Sequence, residues 1–146
     1  MDAYVAVVGP GDATPDEIAA AATVGTELAR RGAIVVCGGL GGVMEAACRG
    51  ARAGGGKSVG ILPGLDRRAA NPYVDVALAT GLGEARNALV VRAADALVAV
   101  GGGYGTLSEI ALALKAGKRV IGIHSWEIDG VEAVDGPQQA AAAALS

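Results

Sequence analysis

Two glycine-rich segments carry the residues best suited to binding an anion. GGLGGVMEAA at 38–47 and GGYGTLSEIA at 102–111 share three glycines, a glutamate and an alanine at a constant offset of 64 (102 − 38). Each segment follows an apolar run and leads into a helical pattern. A glycine turn that leads into a helix exposes backbone N–H groups and the positive end of the helix dipole, and both favour a phosphate. We therefore predict a phosphate site at the Gly102–Thr106 turn.

Other glycine turns and their neighbours complete the predicted site. The segment at 9–14 keeps two glycines of the dinucleotide-binding fingerprint but has Thr14 where the third glycine or an alanine belongs. The alternative interpretation is that all these glycines only form tight turns, but two matched turns after apolar runs favour binding. The predicted ligand-binding residues are Gly9, Gly11, Gly39, Gly41, Gly42, Glu45, Thr80, Gly81, Arg86, Asn87, Gly102, Gly103, Tyr104, Gly105 and Thr106.

Two glutamates and one arginine could contribute charge to this site. Glu45 and Glu109 occupy equivalent places in the two segments, and we predict both in the first turn of a helix, where a carboxylate stabilises the dipole. Glu109 has a second interpretation, because Thr106 adds a hydroxyl at the same turn and Arg86 can approach from a neighbouring loop. Arg86 follows a glycine turn, which suits a guanidinium that clamps a phosphate, although an ordinary surface role is the alternative.

The remaining residues with reactive or aromatic side chains are interpreted as structural. Cys37 and Cys48 have ten residues between them and no nearby histidine, so they form neither a zinc pattern nor a disulfide framework. We expect both to be small core residues. His124 and Trp126 near the last strand are predicted to pack or to line a rim. No metal site is predicted.

Alternating patterns predict the elements that position these residues. Short apolar runs alternate with helical patterns, which is typical of parallel strands joined by crossover helices. The predicted fold is a single Rossmann-like, doubly wound α/β domain over 1–146, with a mostly parallel sheet of six to seven strands and helices on both faces. The ligand crevice is then expected beyond the carboxyl ends of the strands. Strands are predicted at 4–8, 33–37, 58–62, 73–78, 96–100 and 119–123, and helices from Thr14 to Gly32 and near 42–53, 84–93, 106–116 and 138–145.

Composition and charge exclude several classes of function. The chain has 146 residues, 24 of them glycine and none phenylalanine, so small residues must do much of the packing. A net charge of −3 argues against nucleic-acid binding, which normally needs a basic surface. The longest uncharged stretches, 32–44 and 96–108, have 13 residues each and are too short to span a membrane. The start has no basic segment typical of a signal peptide, so we expect a cytoplasmic protein.

The chain resembles a known superfamily over residues 4–123. That superfamily contains the LONELY GUY phosphoribohydrolases, proteins called possible lysine decarboxylases, and molybdenum-cofactor carrier proteins. The resemblance rests on GGLGGVMEAACRGARAGGGKSVGILPG, TGLGEARN and VGGGYGTLSEIALALKAGK. The enzymes' pattern PGGxGTxxE corresponds to 101–109, and their essential arginine falls on Arg86. The resemblance implies that Arg86 and Glu109 are catalytic if the protein is an enzyme, and that the Gly102–Thr106 turn holds a nucleotide phosphate.

Two departures from the enzyme pattern favour binding over catalysis. The proline of the pattern is Gly101 here, and the segment around Arg86 reads GLGEARNALVV, without the histidine and lysine that usually flank the arginine. The chain is similar to the short cofactor-carrier branch, which implies binding of a phosphorylated nucleotide or a molybdopterin-type cofactor. The alternative is a phosphoribohydrolase that cleaves a nucleoside 5′-monophosphate into free base and ribose 5-phosphate and requires no cofactor.

Two further expectations follow from the resemblance. Lysine decarboxylation would need a lysine that binds pyridoxal phosphate. Lys57, Lys115 and Lys118 are predicted at helix ends and strand starts, away from the crevice, so pyridoxal phosphate is not expected. The relatives are homo-oligomers, so a dimer or tetramer is expected, with a small phosphorylated ligand as the other partner.

Overall fold

Apolar runs separated by helices form one parallel sheet. The computed structural model describes residues 2–146. The strands are β1 Tyr4–Val8, β2 Ile34–Cys37, β3 Ser58–Leu62, β4 Val76–Ala79, β5 Ala96–Val100, β6 Arg119–Ile123 and β7 Val131–Ala133. The helices are α1 Pro15–Arg30, α2 Val43–Ala53, α3 Arg86–Ala93, α4 Tyr104–Lys115 and α5 Pro137–Ala144. Short 3₁₀ turns lie at Arg67–Ala69 and Gly83–Ala85.

The strand order places a crevice in the middle of the sheet. The order is β4-β3-β2-β1-β5-β6-β7, and every neighbouring pair is parallel. The chain builds outward from β1 in one direction and then, from β5, in the other. Ligands of such sheets bind at this switch point, outside the carboxyl ends of the strands. The predicted Rossmann-like α/β fold is confirmed.

Helices cover both faces of the sheet because its central strands are apolar on both sides. Val5, Val7 and Val98 pack against α1, α2 and α5. Their neighbours along the strands, Ala6 and Leu97, pack on the opposite face against α3 and α4. This alternation follows from the two-residue period of a strand. Burial on both faces explains why runs such as ALVAV contain no polar residue.

Glycines bring α1 and α2 into direct backbone contact. A Cβ on Gly50 would overlap the carbonyl oxygen of Ala22, and a Cβ on Gly25 would overlap that of Ala47. The Thr26 hydroxyl also donates to the Gly50 carbonyl oxygen at 3.1 Å. The two helices therefore cross at a distance that no residue larger than glycine permits.

Two strands differ from the sequence prediction. The predicted strand at 73–78 begins only at Val76. Asp75, just before it, donates its amide to the Ser58 carbonyl oxygen at 3.2 Å, but the Ser58 amide donates to the Asp75 carboxylate at 2.8 Å and not to a carbonyl of this segment. The three-residue strand β7 was not predicted as a separate strand, because it is partly exposed and includes Glu132 and so lacks a clear apolar signal.

Within residues 2–146, the structure contains no helix with both the length and the apolar character needed to cross a bilayer.

Candidate functional site

A cavity of about 220 Å³ lies at the switch point of the sheet. Seven of the predicted site residues line it: Gly9, Gly11, Arg86, Gly103, Gly105, Thr106 and Glu109. Five further lining residues were not predicted as ligand-binding: Val7, Val8, Pro10, Gly38 and Met44. The cavity's position beyond the end of β1 could have identified Val8 and Pro10, but the turn that brings Met44 inward has no sequence signal.

The N-terminus of α4 opens into this cavity. Gly103 precedes the helix in an extended conformation, with φ 174 and ψ 166, and no side chain of the described residues caps the helix there. The first intrahelical hydrogen bond runs from the Leu107 amide to the Gly103 carbonyl oxygen at 2.9 Å. The amides of the first turn therefore keep their hydrogen-bonding capacity and lie at the positive end of the helix dipole. Such an end is suited to an anion.

Gly101, which stands where the enzyme pattern has proline, is held in a conformation that proline cannot adopt. Its φ is +74, whereas proline fixes φ near −65°. Its amide donates to the Ile123 carbonyl oxygen at 3.0 Å, a bond that proline would also remove. A Cβ at this position would overlap the Glu17 carboxylate. Glu17 is fixed in turn by a capping box with Thr14 at the start of α1.

Arg86 is anchored in the wall of the cavity. Its Nε donates to the Ile61 carbonyl oxygen at 2.9 Å, and one terminal nitrogen donates to the Gly38 carbonyl oxygen at 3.4 Å. The other terminal nitrogen donates to the side-chain oxygen of Asn87, which is itself buried. Asn87 therefore orients the guanidinium and does not line the cavity. A guanidinium has five N–H donors, so donors remain for a ligand.

Glu109 lies one turn deeper in α4 than the sequence predicted. The prediction of a first-turn carboxylate is wrong for Glu109, because α4 begins at Tyr104 and not at 106. Glu45, by contrast, does lie in the first turn of α2. Glu109 is 8% exposed. Burial raises the pKa of its carboxyl to about 7, and the positive charge of Arg86 opposes this only in part. A pKa near neutrality lets Glu109 change its protonation state close to neutral pH.

The other predicted residues do not line the cavity. Thr80 and Gly81 lie at the end of the edge strand β4, where the Thr80 hydroxyl donates to the Leu62 carbonyl oxygen at 2.7 Å. Gly42 has φ +63, and a Cβ there would overlap the carbonyl oxygens of the β1–α1 turn. It therefore lets the two turns touch. The residues outside the lining are Gly39, Gly41, Gly42, Glu45, Thr80, Gly81, Asn87, Gly102 and Tyr104.

The two cysteines are buried, as predicted, next to the glycine turn at 38–42. Their Sγ atoms lie 3.4 Å apart and both thiols are free. The hydrogen bond to Cys48 and burial raise the pKa of the Cys37 thiol. The Gly39 amide donates to the Cys37 sulfur at 3.3 Å. Among residues 2–146 no three His, Cys, Asp or Glu side chains are grouped so that they could hold a metal ion.

A larger hollow of about 750 Å³ runs along β4 and is lined by residues such as Asp66, Arg68 and Leu78. It contains the N-terminus of no α-helix, and Arg68 is already paired with Asp66 at 3.1 Å. The smaller cavity combines open amides, an anchored guanidinium and a buried carboxyl, so it is the stronger candidate for a ligand site.

The family model described as the SLOG cluster4 family matches residues 2–144. The chain belongs to the SLOG cluster4 family. A relative from Archaeoglobus fulgidus, an uncharacterized protein, is 43% identical to this SLOG cluster4 chain over 137 residues, which cover 93% of the chain and 90% of the relative. The predicted superfamily resemblance is thereby confirmed.

One solved structure and a further curated relative are also similar to the chain. The molybdenum cofactor binding protein of Rippkaea orientalis superposes on the SLOG cluster4 chain with a TM-score of 0.90 and 36% identity, covering 94% of this chain and 92% of that one. A probable cytokinin riboside 5′-monophosphate phosphoribohydrolase of Oryza sativa subsp. japonica is 34% identical over 120 residues. That match covers 80% of the SLOG cluster4 chain and spans about half, 52%, of the rice protein.

Proposed function

We propose that the protein binds a small phosphorylated ligand, with the phosphate at the N-terminus of α4. The observation that carries the proposal is the α4 N-terminus, which has no side-chain cap and opens into a cavity at the switch point of the sheet. Arg86 also lines this cavity, and its guanidinium supplies a positive charge there. Backbone amides, a helix dipole and a guanidinium are together typical of a phosphate site.

The ligand class proposed is a nucleotide or a nucleotide-like cofactor such as a molybdopterin. The cavity of about 220 Å³ is smaller than the roughly 300–1,000 Å³ typical of pockets that enclose a drug-sized ligand. It fits a phosphate and the adjoining group, while a ring system would extend over the rim. The 36% identity to a molybdenum cofactor binding protein supports this class. The residues present fit the phosphate end, and in such a cofactor the pterin would carry the metal.

Replacing Gly103 by valine tests the proposal. Gly103 has an extended backbone and a Cβ there would meet no atom within 4 Å, so the fold should tolerate the substitution. The valine side chain occupies the space in front of the α4 amides, and we expect phosphate and nucleotide binding to be lost in calorimetric titrations. Gly64→Val is the matched control, because a Cβ at Gly64 also meets nothing and the residue lies outside the cavity. Equal nucleotide affinity in Gly103→Val and wild type would contradict the proposal.

The second candidate function is hydrolysis of the N-glycosidic bond of a nucleoside 5′-monophosphate. The observation that favours it is that Glu109 and Arg86 share the cavity, while no donor among residues 2–146 hydrogen-bonds to the Glu109 carboxylate. In this reaction water adds to the ribose C1′ as the base leaves with a proton. An ionised Glu109 would stabilise the positive charge that develops on the ribose.

An assay that incubates the protein with AMP and measures the free base by chromatography tests this activity. If it occurs, Glu109→Gln should lower the rate by about a hundredfold or more while substrate still binds, because the amide keeps the shape but not the charge. The rate should also rise with pH through about 7, since the pKa of Glu109 lies there and the ionised form is the active one. A protein that only binds releases no base at any pH, and Glu109→Gln does not weaken its nucleotide affinity.

A further inference from the structure

One side chain outside the cavity contacts Gly103 and Tyr104 of the phosphate turn and lies beside Gly102. Trp126 donates a hydrogen bond from Nε1 to the Gly103 carbonyl oxygen at 3.1 Å. Its ring stacks on Tyr104 with the ring centroids 6.3 Å apart and an interplanar angle of 29°. A Cβ placed on Gly102 would lie 3.4 Å from the Trp126 Nε1 atom. Trp126 therefore supports the turn without lining the cavity.

An unusual backbone conformation brings Trp126 to this position. Among residues 2–146, His124 is the one non-glycine residue with a positive φ, at 46. It directly follows β6, so the chain turns there and leads through Ser125 to Trp126 beside the turn. A positive φ is unfavourable for a residue with a Cβ, and such strain is concentrated at functional sites.

The hydrogen bond from Trp126 fixes the peptide plane that begins α4. The Gly103 carbonyl oxygen accepts from the Leu107 amide at 2.9 Å and from Trp126, so both of its lone pairs are used. In a planar trans peptide the N–H of Tyr104 points opposite to that carbonyl. Holding the carbonyl toward the helix body therefore aims the Tyr104 amide out of the N-terminal end of α4.

The turn needs such support because it has little of its own. Gly102 and Gly103 have no side chains and lose more conformational entropy on ordering than any other residues. Gly103 is followed by Tyr104, whose ring is 85% exposed and packs on Trp126. Without the indole, the two glycines could rotate and turn the amides away from the cavity.

We propose that Trp126 is a positioning residue of the phosphate site, acting through the Gly103 carbonyl without touching the ligand. The inference rests on the proposed phosphate site at α4. Trp126 is the sole tryptophan of the chain, so its indole N–H gives a single NMR signal that reports on this hydrogen bond.

Trp126→Phe tests the role, because phenylalanine keeps an aromatic ring against Tyr104 but has no N–H. We expect the affinity for inorganic phosphate, followed by NMR titration, to fall about fivefold, the effect of one lost hydrogen bond. The affinity for AMP should fall by the same factor, while any affinity for adenosine, which has no phosphate, should be unchanged. In the wild-type protein, phosphate should shift the indole N–H signal, and in Gly103→Val it should not.

The outcomes separate this inference from the function on which it rests. Wild-type protein that binds neither phosphate nor AMP would overturn both. Wild-type protein that binds phosphate while Trp126→Phe binds it equally well would overturn the role of Trp126 alone. Equal weakening of AMP and adenosine would also overturn it, because a general loss of structure does not distinguish the phosphate. Thermal unfolding of Trp126→Phe, and of Trp126→Ala as a second variant, identifies that case.

Discussion

At the scale of single residues, the candidate site contains a carboxyl group whose pKa is shifted in opposite directions by burial and by a nearby cation. Glu109 is 8% exposed, and desolvation raises its pKa to about 7 against the lowering effect of Arg86. A neutral Glu109 does not repel a phosphate, whereas an ionised one does. The protonation state of this one side chain therefore governs both proposed functions: binding favours the protonated form and hydrolysis needs the ionised form.

The raised pKa makes stability depend on pH in a defined direction. Between about pH 4.5 and 7 the folded state binds more protons at Glu109 than the unfolded state does, so the free energy of unfolding falls as pH rises through this window. Glu109→Gln removes that contribution. We expect the variant to gain stability relative to wild type with rising pH, by up to about 3 kcal/mol above pH 7 and by nothing near pH 4.

Urea unfolding of both proteins from pH 4 to 8 measures this difference. Glu45→Gln is the matched control, because it makes the same substitution at the equivalent place of the first glycine segment. A stability difference between Glu109→Gln and wild type that stays constant across the range would contradict the prediction.

At the scale of elements, two similar glycine-rich segments start their helices at different places. The segments 38–47 and 102–111 match closely, yet α2 begins at Val43 and α4 begins at Tyr104, three residues earlier in its segment. Gly42 is held at φ +63 against the carbonyls of the β1–α1 turn, which delays α2. Pattern and spacing thus predicted the parallel sheet and the glycine turn that precedes α4. They could not predict which glycine would break the helix, because its neighbours come from distant parts of the chain.

The crossing of α1 and α2 gives a prediction that reverses the usual effect of a helical glycine. Replacing a glycine inside a helix by alanine normally stabilises a protein by about 0.5–1 kcal/mol. At Gly50 the added Cβ would overlap the Ala22 carbonyl oxygen, which is backbone and cannot move aside without separating the helices. We expect Gly50→Ala to lower the free energy of unfolding by about 1–3 kcal/mol.

Denaturant unfolding of Gly50→Ala checks the sign. Gly64→Ala, at an exposed glycine with open space around it, is the control and should change stability little. A stabilised Gly50→Ala protein would mean that α1 and α2 can separate freely, contrary to the packing described above.

At the scale of the whole molecule, the β4 edge of the sheet lacks a helical cover. Val76 and Leu78 on the edge strand β4 are 47% and 48% exposed, because α3 packs on β1, β2 and β3. Leu65, which is also exposed, lines the same hollow as Leu78, so three of the seven exposed large apolar side chains are in this part of the fold. Two copies related by a twofold axis would place identical apolar edges against each other.

The homo-oligomer implied by the superfamily resemblance is therefore expected to form through β4. Val76→Lys with Leu78→Lys should yield a smaller particle than wild type in light scattering after size-exclusion chromatography, because the two lysines place like charges across the interface. Gln138→Lys on the exposed side of α5 is the control and should leave the mass unchanged. An unchanged mass in the β4 variant would exclude this edge as the interface.

The carboxylate of Glu17 restricts which residues position 101 can accept. Replacing Gly101 by the proline of the phosphoribohydrolase pattern meets three obstacles at once: the positive φ, the amide bond to Ile123 and the carboxylate that fills the Cβ position. Truncating Glu17 removes just the last of these and dismantles the capping box with Thr14. A single Gly101→Pro substitution is therefore not expected to be tolerated in this fold, and a change at residue 17 would relieve one of the three obstacles.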